Sequence, residues 1–309
     1  MQDKPVRIAV IGVGYFGKFH ARKYSQMPDV DLVGVVDTCL ETAQNVAREV
    51  GAPFYTDYRD ILQKVDAVDI CVPTQWHYSI AKDFLHEGAD VFIEKPITVT
   101  CEEADELIAL AAKTNRILQV GHLEWFNPAL MAVQDMLKEP YLIEAFRQMP
   151  YHGRGMDVSV VLDLMIHDID LILGIIQDMP HTIYATGNAF FEKNTSDTAG
   201  GTMVFENGCV ARLLADRVSA VSRREMTLFQ ENGSVTIDFM NRVAKTAFLN
   251  EDPKITMRVQ EFDEQDALLK ELEHFVSCIY TRTTPVVTAQ MARNALAVAL
   301  SMITKTNSF

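Results

Sequence analysis

The sequence predicts an α/β protein: an N-terminal part with a doubly wound parallel sheet, followed by a C-terminal α+β part with an open, mainly antiparallel sheet. Three observations support this fold class. Short apolar strands alternate with helical segments from residue 5 to residue 122, a glycine-rich turn follows the first strand, and two Asn-Gly pairs separate strand-like runs in the second half. We therefore expect two domains, residues 1–122 and residues 123–309.

The first part consists of segments whose apolar spacing has the period of a strand or of a helix. Strands are predicted at 6–11, 30–36, 67–72, 90–94 and 117–121, with a weaker one near 53–55, and helices at 15–27, 41–50, 57–64, 77–87 and 101–114. Thr100 and Glu103 form a capping box, which predicts where the last of these helices begins. This alternation is typical of a Rossmann domain.

The second part begins with a helix and then becomes rich in strands. Its predicted helices are 128–138, 157–177, 264–280 and 288–304, and its strands are 141–148, 182–190, 201–206, 209–215, 225–230, 234–239, 244–249 and 255–260. Asn207-Gly208 and Asn232-Gly233 are predicted to be two-residue type I′ turns. These hairpins imply an open sheet with an uncovered apolar face, so we expect a homodimer or homotetramer joined through this sheet.

The turn after the first strand has the spacing Gly-x-Gly-x-x-Gly. Gly12 allows a sharp turn, Gly14 lets the backbone approach a pyrophosphate, and Gly17 permits close packing of helix on strand. Asp37 follows the second strand, where a carboxylate accepts hydrogen bonds from ribose hydroxyls and repels a 2′-phosphate. The alternative is a glycine-rich turn beside a chance carboxylate. The combination predicts a site that prefers NAD to NADP. Its predicted cofactor contacts here are Gly12, Gly14, Tyr15, Phe16, Gly17 and Asp37.

Polar residues also follow the fourth and fifth strands, at the edge where open parallel sheets bind ligands. Lys95 comes directly after the fifth strand, and Pro96 permits a cis peptide bond that would direct Lys95 into the cleft. Thr74 and His77 follow the fourth strand. The structural alternatives are a surface lysine and an exposed histidine at the start of a helix. The residues predicted to border the cofactor at this edge are Thr74, His77, Glu94, Lys95 and Pro96.

Asp163 and His167 are four residues apart in a predicted helix and therefore share one face. The carboxylate can orient the imidazole and stabilise its protonated form, and Asp170 can bond the other ring nitrogen. The alternative is a histidine packed in an apolar core. Oxidation of a secondary alcohol needs a base for the hydroxyl proton and a cation near the developing alkoxide. We therefore predict His167 as the base, Asp163 as its partner, and Lys95 as the cation and proton relay.

The composition argues against several other classes of protein. A formal net charge of −14 repels nucleic acid, and 48% hydrophobic residues supply apolar cores. The five cysteines have no CxxC spacing, so we expect neither a disulfide scaffold nor a metal site. No basic region precedes a long apolar stretch, and no apolar run is long enough to cross a bilayer. We expect a cytoplasmic protein that binds neither membranes nor nucleic acid.

Together these motifs resemble those of the glucose-fructose oxidoreductase, inositol dehydrogenase and MocA family. The resemblance covers essentially the whole chain and extends to Val72-Pro73-Thr74, Gly121-His122 and Phe126-Asn127-Pro128. It implies an NAD(P)-binding Rossmann domain, a mixed α/β domain that often forms oligomer contacts, and catalytic roles for Lys95, Asp163 and His167. The substrate contacts that it implies are His122, Asn127, Arg154, Asp163 and His167.

Within this family, residues 157–170 resemble the branch that oxidises the 3-hydroxyl of UDP-N-acetylglucosamine, although that branch usually has Arg where this chain has Trp125. A UDP-sugar brings a diphosphate, which needs cationic partners. The candidate cations in the second part are Arg147, Arg154, Arg223 and Arg224. The alternatives are a dehydrogenase of a free polyol such as inositol or of a dihydrodiol, and a sensor that binds NAD(H) without turnover.

Overall fold

The computed structural model describes residues 4–151, 158–191, 195–250 and 254–306. The chain folds into two compact units. The first contains the chain up to Leu123 together with Leu268–Arg293, and the second contains Glu124–Ala267 together with the chain from Asn294. This division differs from the two continuous domains predicted, because helical periodicity near residue 270 does not reveal which core the helix packs against.

The first unit contains a six-stranded parallel sheet with the strand order β3-β2-β1-β4-β5-β6. Its strands are β1 (Val6–Ile11), β2 (Val30–Val36), β3 (Phe54–Tyr55), β4 (Ala67–Ile70), β5 (Asp90–Glu94) and β6 (Leu118–Gly121), and its helices include α1 (Gly17–Tyr24), α2 (Leu40–Val50), α3 (His77–His86) and α4 (Cys101–Thr114). This is the strand order of a Rossmann sheet, in which the order reverses between β1 and β4 while all strands stay parallel. The predicted fold class is confirmed, but the helix predicted at 57–64 is only a short 3₁₀ segment, Tyr58–Ile61.

The second unit contains an eight-stranded sheet with the order β14-β13-β12-β11-β7-β10-β9-β8. Its strands are β7 (Leu142–Gln148), β8 (Thr182–Asn188), β9 (Thr198–Val204), β10 (Val210–Asp216), β11 (Arg223–Gln230), β12 (Gly233–Asp238), β13 (Val243–Leu249) and β14 (Ile255–Glu261). Neighbouring strands are antiparallel except β7 and β10, which are parallel. The mainly antiparallel sheet is therefore confirmed.

The later helices differ from prediction mainly where the backbone leaves the α conformation. They are α5 (Pro128–Val133), α6 (Ile166–Ile176), α7 (Ala267–Thr281) and α8 (Ala289–Thr306). A 3₁₀ segment continues α5, and a π-helical segment, Val161–Met165, precedes α6 where one long α-helix was predicted. Among the helices of the described ranges, none is both long and apolar enough to cross a membrane.

Both predicted hairpins form, but neither turn is type I′. Gln230 pairs with Gly233, so the second loop is one residue earlier than predicted and its Asn does not have a positive φ. In the first, the N–H of Phe205 donates to the carbonyl of Cys209, which leaves a three-residue loop in which only Gly208 has a positive φ, +85°. A type I′ turn requires positive φ at both central residues, and these loops supply at most one.

Helix α7 belongs to the first unit because its apolar face completes that core. Leu272, Phe275 and Val276 are buried in the same cluster as Ile8 of β1. The ring of Phe275 packs edge to face on Phe92 of β5, with a centroid distance of 5.6 Å. Burial of this face against the sheet stabilises the return of the chain to the first unit.

Candidate active site

The glycine turn between β1 and α1 has the geometry that a pyrophosphate site requires. Gly12 has a φ of +85°, and a Cβ atom there would lie 2.7 Å from Cγ1 of Val72. A Cβ atom at Gly17 would lie 1.9 Å from the carbonyl oxygen of Gly12, whereas one at Gly14 would meet nothing within 4 Å. Packing therefore requires the first and third glycines, and the second leaves open space through which a phosphate can approach the backbone.

Asp37 is held just beyond β2 by two backbone groups. Its Oδ2 accepts a hydrogen bond from the N–H of Val13 at 3.1 Å, and its Oδ1 accepts one from the N–H of Cys39 at 2.9 Å. An ionised carboxylate has about four acceptor positions, so both oxygens can still bind ribose hydroxyls. Tyr15 and Phe16 lie exposed on the neighbouring turn, with their rings edge to face. These residues fit the adenosine ribose and pyrophosphate of NAD.

His77 links two turns at the carboxyl edge of the first sheet. Its ring is buried, with Nδ1 3.0 Å from the carbonyl oxygen of Pro96 and Nε2 2.8 Å from that of Val72. Burial lowers the pKa of His77 below its usual value. Thr74 is half-buried in the short 3₁₀ segment that precedes α3. The histidine is therefore not an exposed residue at a helix start, and its contribution to cofactor binding stays a prediction.

Lys95 lies in the turn after β5, where its peptide bond to Pro96 is cis, as the sequence permits. The N–H of Lys95 donates to Oε2 of Glu94 at 3.1 Å, and Oε1 of Glu94 lies 3.2 Å from Nε2 of His20 on α1. Burial by itself would raise the pKa of Glu94. The hydrogen bond from His20 and the charges of His20 and Lys95 lower it below its usual value. Glu94 is therefore an anion that holds the backbone of Lys95.

The polar residues behind Glu94 were not predicted from the sequence. Nδ1 of His20 lies 2.8 Å from Oδ2 of Asp69, and the thiol of Cys71 donates to Oδ1 of Asp69 at 3.2 Å. One nitrogen, oxygen or sulfur atom from each of these three side chains could bind a metal ion, and these atoms lie within 4.8 Å of one another. The hydrogen bonds explain this spacing, and we assign no metal there. One signal was present in the sequence, because Asp69 interrupts an apolar strand and a buried carboxylate needs a partner.

Asp163 and His167 lie in the second unit, where the π-helical segment passes into α6. Both side chains are half-buried, and the N–H of Asp163 donates to the carbonyl oxygen of Ser159 at 3.0 Å. A spacing of four residues places both side chains on roughly the same side of the helix, but it does not by itself establish a contact between them. Their pairing stays a prediction. Short π-helical segments inside helices are frequent at functional sites.

Arg147 is not available to a diphosphate, which corrects its inclusion among the candidate cations. Its side chain is in the interior of the second unit, where Nε and Nη2 donate to Asp168 at 3.0 and 2.8 Å and Nη1 donates to Glu124 at 2.8 Å. Burial disfavours the charge, yet the carboxylates of Asp168 and Glu124 raise the pKa of Arg147 above its usual value. The alternation of β7 places Arg147 on the same face as Ile143 and Ala145, a pattern visible in the sequence.

Trp125 supplies a hydrogen-bond donor where the resembling branch usually has Arg. Its indole N–H donates to Oδ2 of Asp170 at 2.6 Å, and both side chains are buried. Indole is neutral and has a single donor, whereas a guanidinium is charged and has five. Trp125 therefore gives Asp170 a neutral donor, without the positive charge that an arginine would bring.

The remaining predicted substrate residues have three different outcomes. Oδ1 of Asn127 accepts the N–H of Ala129 at 3.1 Å as the cap of α5, and its Nδ2 donates to the carbonyl of Phe239 at 3.0 Å. This geometry favours a structural role for Asn127 over the predicted substrate contact. His122 is buried just beyond β6, and its contact with substrate stays a prediction. Arg154 lies outside the described residues.

The first sheet and its glycine turn define a class of protein. A parallel sheet in this order, with a glycine turn after β1 and an acid after β2, is typical of a domain that binds a dinucleotide such as NAD. The chain belongs to the GFO/IDH/MocA family. Residues 6–122 match the oxidoreductase family with an NAD-binding Rossmann fold, and residues 144–236 match the GFO/IDH/MocA C-terminal domain. The resemblance seen in the sequence is confirmed, and the protein is an NAD-dependent dehydrogenase.

The similarity to known proteins extends over nearly the whole chain. UDP-N-acetylglucosamine 3-dehydrogenase from Acidithiobacillus ferrooxidans is 33% identical over 98% of both chains, and a solved structure of it has a TM-score of 0.93. The scyllo-inositol 2-dehydrogenase (NAD(+)) of Bacillus subtilis is 27% identical and covers 99% of this chain and 95% of its own. Apo scyllo-inositol dehydrogenase from Lactobacillus casei, 22% identical over 99% of this chain and 97% of its own, shares the fold with a TM-score of 0.84.

Proposed function

We propose that this protein oxidises a secondary hydroxyl of a sugar nucleotide with NAD, and that the substrate is UDP-N-acetylglucosamine, oxidised at its 3-hydroxyl. The observation that carries the proposal is the 33% identity over 98% of the chain to an enzyme of that name. A second candidate is a free polyol, which the 27% identity to a scyllo-inositol 2-dehydrogenase supports.

The proposed reaction separates a hydride from a proton. Held by the glycine turn and Asp37, NAD would supply the acceptor for the hydride of the carbon that carries the hydroxyl. We assign the hydroxyl proton to His167 as general base, and we assign to Asp163 the orientation of the ring and the stabilisation of its protonated form. Lys95 supplies positive charge to the developing alkoxide and relays the proton. Its backbone is fixed by Glu94, whose Oε2 accepts the Lys95 N–H at 3.1 Å.

A diphosphate in the substrate needs exposed cations. Arg223 donates to Glu225 at 2.6 Å, and its guanidinium lies 3.7 Å from the centroid of the Phe146 ring. Arg224 is exposed at the start of β11. Guanidinium groups bind phosphate through paired charge-assisted hydrogen bonds. We therefore favour Arg224, together with Arg154, as the phosphate-binding arginines.

An activity assay that follows the absorbance of NADH, with a panel of UDP-sugars and free polyols as substrates, tests this proposal. We expect turnover of UDP-N-acetylglucosamine and a much lower kcat/KM for free N-acetylglucosamine, because the free sugar lacks the diphosphate. Substrate deuterated at carbon 3 should transfer its deuterium to the nicotinamide, which identifies the oxidised carbon. Turnover of inositol alone would favour the second candidate. Tight NAD(H) binding without turnover of any compound would instead indicate a sensor.

We also propose that two or four copies associate through the sheet of the second unit. Ile255, Met257 and Val259 alternate along one face of β14 and are 61%, 76% and 63% exposed, beside Leu249 of β13 at 54%. Such an apolar patch is typical of a protein contact, and in a homo-oligomer it can cover itself. Light scattering should show a dimer or tetramer that Met257→Lys weakens and Gln260→Lys, on the opposite face, does not. A monomeric wild type at micromolar concentration would exclude this association.

A further inference from the structure

Three ionisable side chains from three elements of the first unit form one continuous set of contacts. They are His20 of α1, Asp69 of β4 and Glu94 of β5. The His20 ring is buried between the two carboxylates, with Nδ1 2.8 Å from Oδ2 of Asp69 and Nε2 3.2 Å from Oε1 of Glu94. It also packs edge to face on Phe92, with a centroid distance of 5.9 Å. Contacts with Asp69, Glu94 and Phe92 therefore fix the position of the His20 ring.

The protonation of His20 follows from this geometry. A neutral imidazole has one N–H and can donate to only one of the two carboxylates, whereas the doubly protonated ring donates to both. Burial disfavours the charged ring, but the groups that it contacts, the Asp69 carboxylate among them, raise the pKa of His20 well above its usual value. His20 is therefore a buried cation shared by two anions.

Glu94 connects this cation to Lys95. One carboxylate oxygen faces His20, and the other accepts the N–H of Lys95 at 3.1 Å. Gly121 of β6 closes the remaining space, because a Cβ atom there would lie 3.0 Å from Oε1 and 3.1 Å from Cδ of Glu94. The carboxylate is thus held by His20, by the Lys95 backbone and by the bare backbone of Gly121.

Stability alone does not explain this set of buried charges. Apolar residues of similar volume often give equal or greater stability than a buried ion pair. We propose that His20 is a positioning residue for Lys95: acting through Glu94, it fixes the turn from which the lysine side chain extends, and Asp69 holds the other edge of its ring. The effect on turnover rests on the proposed catalytic role of Lys95, whereas the effect on the turn does not.

Two substitutions at His20 separate its two contacts. The side-chain amide nitrogen of Gln reaches about the position of Nε2, and that of Asn about the position of Nδ1. His20→Gln therefore keeps a donor for Glu94, and His20→Asn keeps one for Asp69. If His20 only filled the core, the two variants would not differ in any property of Lys95.

Hydrogen exchange of the Lys95 amide reports on its hydrogen bond to Glu94, and the measurement needs no substrate. We expect exchange to be faster by about tenfold or more in His20→Asn than in His20→Gln, as loss of a hydrogen bond to a charged group implies. With an active substrate, kcat should fall about tenfold in His20→Asn and about threefold or less in His20→Gln. The KM for NAD should change by less than about twofold in both, because the glycine turn and Asp37 are untouched.

Gly121→Ala provides an independent variant that displaces Glu94 without altering His20, and it should also speed exchange of the Lys95 amide. Thermal melting reports whether each variant folds. If the His20 variants do not fold, Gly121→Ala by itself tests whether Glu94 positions Lys95. Wild-type exchange at Lys95 in every folded variant overturns the inference, as does equal exchange in the Gln and Asn variants. If exchange responds as expected but the wild type oxidises no substrate, the proposed function fails and the positioning of the turn stands.

Discussion

Asp37 is the residue through which the choice between NAD and NADP can be altered. Its two oxygens are fixed by the N–H groups of Val13 at 3.1 Å and Cys39 at 2.9 Å, so the carboxylate is ordered before a ribose binds. A hydrogen bond to a charged group contributes about 1.5–3 kcal/mol, which corresponds to about 10- to 100-fold in affinity. The wild type should therefore prefer NAD by about tenfold or more, and Asp37→Ser should weaken NAD binding by a similar factor while it removes the repulsion of a 2′-phosphate.

Dissociation constants of NADH and NADPH, measured by nicotinamide fluorescence, test this expectation. Asp37→Asn keeps an acceptor for the Val13 N–H without the charge, so it should improve NADPH binding and weaken NADH binding less than Asp37→Ser does. Asp31→Ser, at an exposed position of the same strand β2, is a matched control that should change neither constant. Equal or tighter binding of NADPH by the wild type would refute the assignment, and so would an unchanged ratio in Asp37→Ser.

The remaining substitutions test the catalytic assignments and the buried arginine. His167→Ala and Lys95→Ala should each reduce turnover about a hundredfold or more and change NAD affinity only a few-fold, because each removes a group used in the transition state. Near-normal turnover of His167→Ala would indicate that His167 is a core residue and not the catalytic base. Asp163→Asn should reduce turnover and move the pH at which activity rises to lower values, because the imidazolium loses its anionic partner; an unchanged pH profile would contradict the pairing. Arg147→Met removes the guanidinium partner of the buried Asp168 carboxylate and of the half-buried Glu124, and it should lower the free energy of unfolding by about 3–5 kcal/mol in denaturant titrations; a loss below about 1 kcal/mol would contradict this account.

Features that depend on adjacent residues were predictable from the sequence. Strand β1 has the predicted bounds, Val6–Ile11, because its apolar run and the following glycine turn are local patterns. The capping box of Thr100 and Glu103 begins α4 where expected, because both of its hydrogen bonds join residues three apart. The hairpins were predicted at the right places with the wrong turn type. Strand pairing decides which residues form each loop, and an Asn-Gly pair alone does not fix that register.

The sequence by itself determined the class of fold, the glycine turn and Asp37, and membership of the family, because periodicity and spacing belong to short segments. Only the tertiary structure decided which charges meet. His20 and Asp69 are 49 residues apart, and Arg147 and Asp168 are 21 apart, yet each pair forms a buried hydrogen bond. A buried charge is tolerated only where the fold brings a partner to it, and no local pattern records which distant residue that partner is.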